Sequence, residues 1–110
     1  MDMPQVLDRS EIVAMVIASL QEVLAQAGEP PVGPMDEDIH LIGRRAVLDS
    51  LGMVTLIVDL EQRLEEEHGL SLTLADDRAM SQKNSPFLTV RSLADYIYAL
   101  VEEEQRNGRA

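Results

Sequence analysis

The chain has no cysteine. A disulfide framework, a cysteine zinc cluster and a protein thiol nucleophile are therefore excluded, and any thiol chemistry has to arrive on a prosthetic group. Tryptophan is also absent and aromatics are 3% of the residues, so the core must come from Leu, Val, Ile, Met and Ala, which suits packed helices. Bases are scarce: 9 Lys and Arg stand against 20 Asp and Glu, for a net charge of −11. That balance argues against nucleic acid, whose phosphates demand a basic face. It favours solubility and steering toward basic surfaces on partners. No apolar run approaches the roughly 20 residues of a membrane span. The first residues lack the basic-then-apolar pattern of a signal peptide, and a soluble cytoplasmic protein is the expectation.

Apolar residues make up 45% of the 110 positions, enough for one small domain. Its core is expected over about 8–101, with 1–6 and 102–110 frayed. Leu7-Asp8-Arg9-Ser10-Glu11-Ile12 reads as a helix start. Asp8 is the expected N-cap, Glu11 its capping-box partner, and Leu7 and Ile12 a hydrophobic staple. The stripe Ile12, Val13, Val16, Ile17, Leu20, Val23, Leu24, Ala27 continues for about five turns. Gly28 then stops the helix, and Pro30 and Pro31 prevent a restart.

Glu29 to Val47 reads as a long loop, tacked down by Ile39, Leu41 and Ile42. Asp36, Glu37 and Asp38 lack the alternating ligands and terminal Glu of a calcium loop, so no metal is expected there. His40 reads as a partly exposed loop residue. A second helix is expected from about Ser50 to His68, ended by Gly69, with His68 favourably placed at the helix C-terminus. Leu70 to Leu74 alternates but has no second strand to pair with, so it reads as an extended linker. Thr73 and Asp76 suggest a short helix from Leu74 to about Met80, and Ser81 to Pro86 is turn chemistry. Thr89 is the expected N-cap of a last helix that buries Val90, Leu93, Ala94, Ile97, Leu100 and Val101, with Tyr96 and Tyr98 partly exposed. The sum is an all-α fold, a small bundle of three long helices plus one short helix, with long first and second loops.

The stretch Val47-Leu48-Asp49-Ser50-Leu51-Gly52-Met53-Val54 ends the first loop and opens the second helix. Asp49 and Ser50 are both strong N-cap residues. From Leu51 the apolar residues recur at helical spacing: Leu51, Val54, Ile57 and Val58, with Met53, Leu60 and Leu64 on adjoining rows. Asp-Ser-Leu after an apolar residue, followed by Gly-Met-Val-x-Leu-Ile-x-x-Leu-Glu, resembles the attachment site of the acyl carrier protein family. Thr89-Val90 with Leu93 resembles the start of that family's final helix. The insertion Arg44-Arg45-Ala46, and Val47 where the family often has Gly, depart from the pattern. The two arginines read either as phosphate partners or as a solvated basic pair.

The resemblance implies that Ser50 carries a covalent 4′-phosphopantetheine arm, flanked by Asp49 and Leu51. It implies that the arm holds acyl groups as thioesters in fatty-acid, lipid or secondary-metabolite synthesis. The implied partners are a phosphopantetheinyl transferase and acyl-loading and acyl-transferring enzymes with basic docking patches. Met53, Val54, Glu61, Glu65 and Met80 are the implied partner-facing or acyl-facing residues. Helix phase leaves Met53 and Val54 equally assignable to the core. The implied role is that of a carrier and not of an enzyme. An aminoacyl or peptidyl carrier shares the same signals, and a helical adaptor that is never modified is the alternative from a different class.

Overall fold

The computed structural model describes residues 7–28, 36–43, 46–75 and 85–107. Among these residues the chain forms three α-helices and no strand: α1 (Arg9–Gln26), α2 (Ser50–His68) and α3 (Val90–Asn107). Each start has a local cause. Asp8 caps α1 with a full capping box: its carboxylate accepts from the Glu11 N–H at 2.9 Å, and Glu11 accepts from the Asp8 N–H at 3.1 Å. Leu7 and Ile12 are both buried, as the staple requires. At α3, Thr89 Oγ1 accepts from the Ser92 N–H at 3.1 Å while Ser92 Oγ accepts from the Thr89 N–H at 3.0 Å. Gly69 ends α2 at φ +67°, a left-handed turn that costs a residue with a Cβ far more than it costs glycine.

The helix α1 packs against both α2 and α3. It buries Ile12, Met15, Val16, Leu20, Val23 and Leu24, and α2 contributes the row Leu56, Leu60 and Leu64, each with no exposed surface. Full burial of each such side chain contributes about 1.5–3 kcal/mol. The α3 stripe is buried as expected at Val90, Leu93, Ala94, Ile97, Leu100 and Val101. Leu41, Leu74 and Phe87 are delivered to the core by the connections, with Ile39, Ile42, Leu70 and Leu72 packed around it.

The first connection is tied to the start of α3 by backbone bonds. Leu88 O accepts from the N–H groups of Leu41 (2.7 Å) and Ile42 (3.4 Å). The Val90 N–H donates to Ile39 O, and the Arg91 N–H to Glu37 O, each at 3.0 Å. His40 and Thr89 form an isolated antiparallel bridge. Side chains reinforce this clip. Arg9 bonds Glu37 at 2.7 Å and Asp95 at 2.6 Å, and Arg91 bonds Asp38 at 2.6 Å. Arg9 holds the Glu37 carboxyl below the usual range, and Glu37 with Asp95 pushes the Arg9 guanidinium up. These pairs are partly exposed, so they fix geometry more than they add stability. Asp36 Oδ1 accepts from the Asp38 N–H.

Several expectations need correction. Tyr96 is buried, 7% exposed, with its ring edge-on to Phe87 at 6.3 Å between centroids; Tyr98 is half-buried. The last helix runs on to Asn107. Glu102 and Arg106 stand at the favourable i, i+4 spacing, and Leu100 and Val101 anchor the turn beneath. Ala27 is the exposed C-cap of α1 and not part of its buried stripe, which instead includes Met15 and the fully buried Ser19. Of the expected short helix, Leu74 and Ala75 form a bend and the rest lies outside the described residues, as do Arg44, Arg45 and Met80.

Candidate functional site around Ser50

The first turn of α2 is capped by Asp49, in an extended conformation at φ −88° and ψ −176°. Its Oδ1 accepts from the Gly52 N–H at 2.7 Å, and its carbonyl accepts from the Met53 N–H at 2.9 Å. Ser50 is therefore the first helical residue and not the cap. It is exposed, and its own N–H and that of Leu51 belong to the terminal donors that a helix leaves without intrahelical partners. Thr55 Oγ1 bonds back to the Leu51 carbonyl at 2.9 Å.

Gly52 is closely approached by its neighbours. A Cβ at this position would lie 3.1 Å from Leu48 Cδ2 and 3.2 Å from Asp49 Oδ1. Leu48 and Met53 occupy the positions just before the cap and four into the helix, the spacing of a second hydrophobic staple. Both are half-buried against the core. With Ile42, Gly43 and Ala46 they line an open groove of about 470 Å³, to whose wall Asp49 and Ser50 also contribute. Leu88, 40% exposed, lies next to Gly43.

The ambiguity at Met53 and Val54 is resolved by this geometry. Met53 lines the groove, whereas Val54 is 58% exposed. Leu51, Val54 and Val58, at 74%, 58% and 47% exposure, form an apolar stripe on the outside of α2. Glu65 is exposed on the same face, seven residues or about two turns beyond Val58. Glu61 is half-buried and has an internal partner: its Oε2 accepts from the Leu74 N–H at 2.8 Å, pinning the linker after α2 to the helix.

On the side of α2 that meets α1, Ser19 Oγ donates to Asp59 Oδ2 at 2.5 Å. Arg63 Nε donates to the same oxygen at 2.6 Å, and Arg63 reaches Glu22 at 3.3 Å. Burial works against the Asp59 charge, but the bonds from Ser19 and Arg63 outweigh it and hold the carboxyl below its usual range. Asp59 in turn pushes the Arg63 guanidinium up. This cluster sets how α2 lies on α1, and so where Ser50 is presented.

Leu48, Ala46, Val58 and Leu88 were not singled out as site residues from the sequence. The staple spacing of Leu48 and Met53, recognised at α1, is the signal that points to the groove wall. Among the described residues no group of three or more His, Asp and Glu side chains could hold a metal ion, and no helix is long and apolar enough to cross a membrane. Comparison with family models, with curated proteins and with solved structures returned no match.

Proposed function

We propose that this chain is a phosphopantetheine-dependent carrier, and more specifically an acyl carrier protein, with Ser50 as the attachment residue. The observation that carries the reading is the division of labour at the start of α2: Asp49 caps the helix, which leaves the Ser50 hydroxyl exposed and outside the helix-capping bonds. The resemblance of the Asp49-Ser50-Leu51 stretch to the carrier attachment site adds to it.

The surroundings fit the group. Ser50 would hold the group by a phosphodiester at the positive end of α2, where the Ser50 and Leu51 N–H groups would favour an anion. Asp49 is repulsive to that charge, partly offset by its bond to the Gly52 N–H. In the loading step Ser50 Oγ attacks the coenzyme A phosphorus nearer the pantetheine. The new O–P bond replaces the pyrophosphate linkage, adenosine 3′,5′-bisphosphate leaves, and the hydroxyl proton passes to the transferase. When bound, the arm supplies the thiol that this cysteine-free chain lacks, and acyl groups are held on it as thioesters. In this reading the chain performs no turnover. It positions Ser50 and offers Leu51, Val54 and Glu65 on the outer face of α2 to loading and transferring enzymes with basic docking patches. A cytoplasmic setting belongs to the same reading.

The test is intact mass after incubation with coenzyme A and a broad-specificity phosphopantetheinyl transferase, wild type beside Ser50→Ala. A gain of one phosphopantetheine on the wild type alone is expected. No gain on a folded chain, beside a control carrier that is modified, favours the unmodified helical adaptor. Loading assays of the modified chain with fatty acids and with amino acids then separate an acyl from an aminoacyl carrier.

A further inference from the structure

We propose that residues 37–42 act as a strap that opens and closes as one piece, coupling the start of α3 to the start of α2, with Arg9 holding it shut. The device is read on the unmodified chain, so its failure leaves the carrier reading standing, and failure of that reading leaves the strap.

The first reason is where the bonds of the strap go. A helix leaves its first N–H groups without partners of its own. At α3 the N–H groups of Val90 and Arg91 donate to Ile39 O and Glu37 O, each at 3.0 Å. The strap thus caps α3 from outside the helix. On its other side His40 O accepts from the Val47 N–H at 3.1 Å, two residues ahead of the Asp49 cap of α2. Among the described residues these two helices are not in close backbone contact, so the strap bridges two helix starts that are otherwise apart. Its last residue, Ile42, lines the same groove as Ser50, and the state of the strap therefore reaches the serine.

The second reason is what holds it. Leu41 pins the middle: its side chain is fully buried and its N–H donates to Leu88 O at 2.7 Å. The outer end is held by charge. Arg9, on α1, spans Glu37 of the strap at 2.7 Å and Asp95 of α3 at 2.6 Å. Arg91 spans Asp38 at 2.6 Å and Glu37 at 3.6 Å. Removing the Arg9 charge leaves Arg91 as the one cation in these pairs, facing three carboxylates. The five side chains are 31–73% exposed. Pairs this exposed shift an opening equilibrium without deciding whether the chain folds.

The third reason is independence from the helix interfaces. Those are apolar rows, such as Leu56, Leu60 and Leu64 on α2 and Leu93 and Ile97 on α3. None of the strap's hydrogen bonds runs between these rows. An opening that withdraws Leu41 and parts the strap's bonds leaves the rows packed, which is the behaviour of a cooperative unit less stable than the whole.

The test is amide hydrogen exchange by NMR on the full chain, wild type beside Arg9→Gln, Arg9→Lys and Glu37→Gln. Loss of a cation from the first turn of α1 is favourable to the helix dipole, so Arg9→Gln does not weaken α1 itself. In Arg9→Gln the amides of Val90, Arg91, Leu41 and Val47 are expected to exchange about three- to tenfold faster, by a common factor, while Leu60 and Ile97 keep their rates. Arg9→Lys carries a point charge in place of the fork that meets two carboxylates, and is expected to fall between wild type and Arg9→Gln. The double variant of Arg9→Gln with Glu37→Gln is expected to gain less than the product of the two single factors, because both remove the same pair. Faster exchange at Val90 and Arg91 with Val47 unchanged overturns the coupling. Strap amides at wild-type rates in Arg9→Gln overturn the role of Arg9, and equal acceleration at Leu60 and Ile97 overturns the separate unit.

Discussion

Removing the Ser19 hydroxyl tests how α2 is held. Ser19 is fully buried, and its Oγ shares Asp59 Oδ2 with Arg63. In Ser19→Ala the Asp59 carboxylate keeps Arg63 and some solvent, its side chain being 23% exposed. The loss is therefore at the low end for a bond to a charged group, about 1.5 kcal/mol. In Asp59→Ala the Ser19 hydroxyl is stranded in the core and Arg63 keeps Glu22 and the charge of Glu67. A stranded hydroxyl costs about 1–3 kcal/mol, and back-bonding to the Met15 carbonyl recovers part of it. With the lost ion pair, about 2–3 kcal/mol is expected. The double variant is expected to cost little more than Asp59→Ala, which gives a coupling of about 1–2 kcal/mol. Thermal denaturation followed by circular dichroism reads these values, with Ser19→Ala lowering Tm by about 7 °C for a domain of this size. The pH dependence adds a second readout. The folded-state pKa of Asp59 is depressed, so its contribution is fully present above the unfolded value of about 3.9. It is lost as pH falls through the depressed folded value. The gap between wild type and Ser19→Ala is therefore flat near neutrality and narrows below about pH 4. Strictly additive costs, or a gap that widens in acid, would refute the latch.

Three further outcomes follow from particular bonds. Ser50→Ala is expected to change stability by no more than about 0.5 kcal/mol, since Ser50 is exposed and does not cap α2, whereas Asp49→Ala costs about 1 kcal/mol in denaturant titration. Glu61→Ala frees the Leu74 N–H and is expected to speed its hydrogen exchange markedly, while Glu61→Gln, which keeps an acceptor, gives an intermediate rate. The Tyr98 phenol is pushed above its usual value by the charge of Glu102 and their hydrogen bond. Glu102→Gln is expected to lower its midpoint in an ultraviolet pH titration.

Helix positions were legible wherever caps and periodicity agreed. Asp8 with Glu11, Gly69 after His68, and Thr89 before Val90 are local signals, and the structure places helix ends at each. The spacing of Leu51, Val54 and Val58 was equally plain, but periodicity does not tell an inner row from an outer one. Leu56, Leu60 and Leu64 run parallel to it and are the buried set. Tyr96 was misjudged because its burial depends on Phe87, delivered from a turn that no helical pattern includes. The same holds for Glu61 and Leu74, and for Ser19 and Asp59, which are distant in sequence and joined only by the fold. At the candidate site, Asp49, Ser50 and Leu51 could be read directly from their residue types. The groove beside them could not, because Ile42 reaches it only through the clip to Leu88.

The central place of α1 has a consequence for cooperativity. Both other helices pack on it, and among the described residues the backbones of α2 and α3 do not approach each other closely. At the level of the helix backbones the bundle is two interfaces on one central helix, joined through a shared side-chain core. An excursion that lifts α2 away must break the Ser19–Asp59–Arg63 cluster and uncover the Leu56–Leu60–Leu64 row, yet the α1–α3 pair and its ion pair from Arg9 to Asp95 can survive it. Partial openings of this kind form separate cooperative units within one domain. The helix that presents Ser50 is thereby one whose opening leaves the other two helices their own interface.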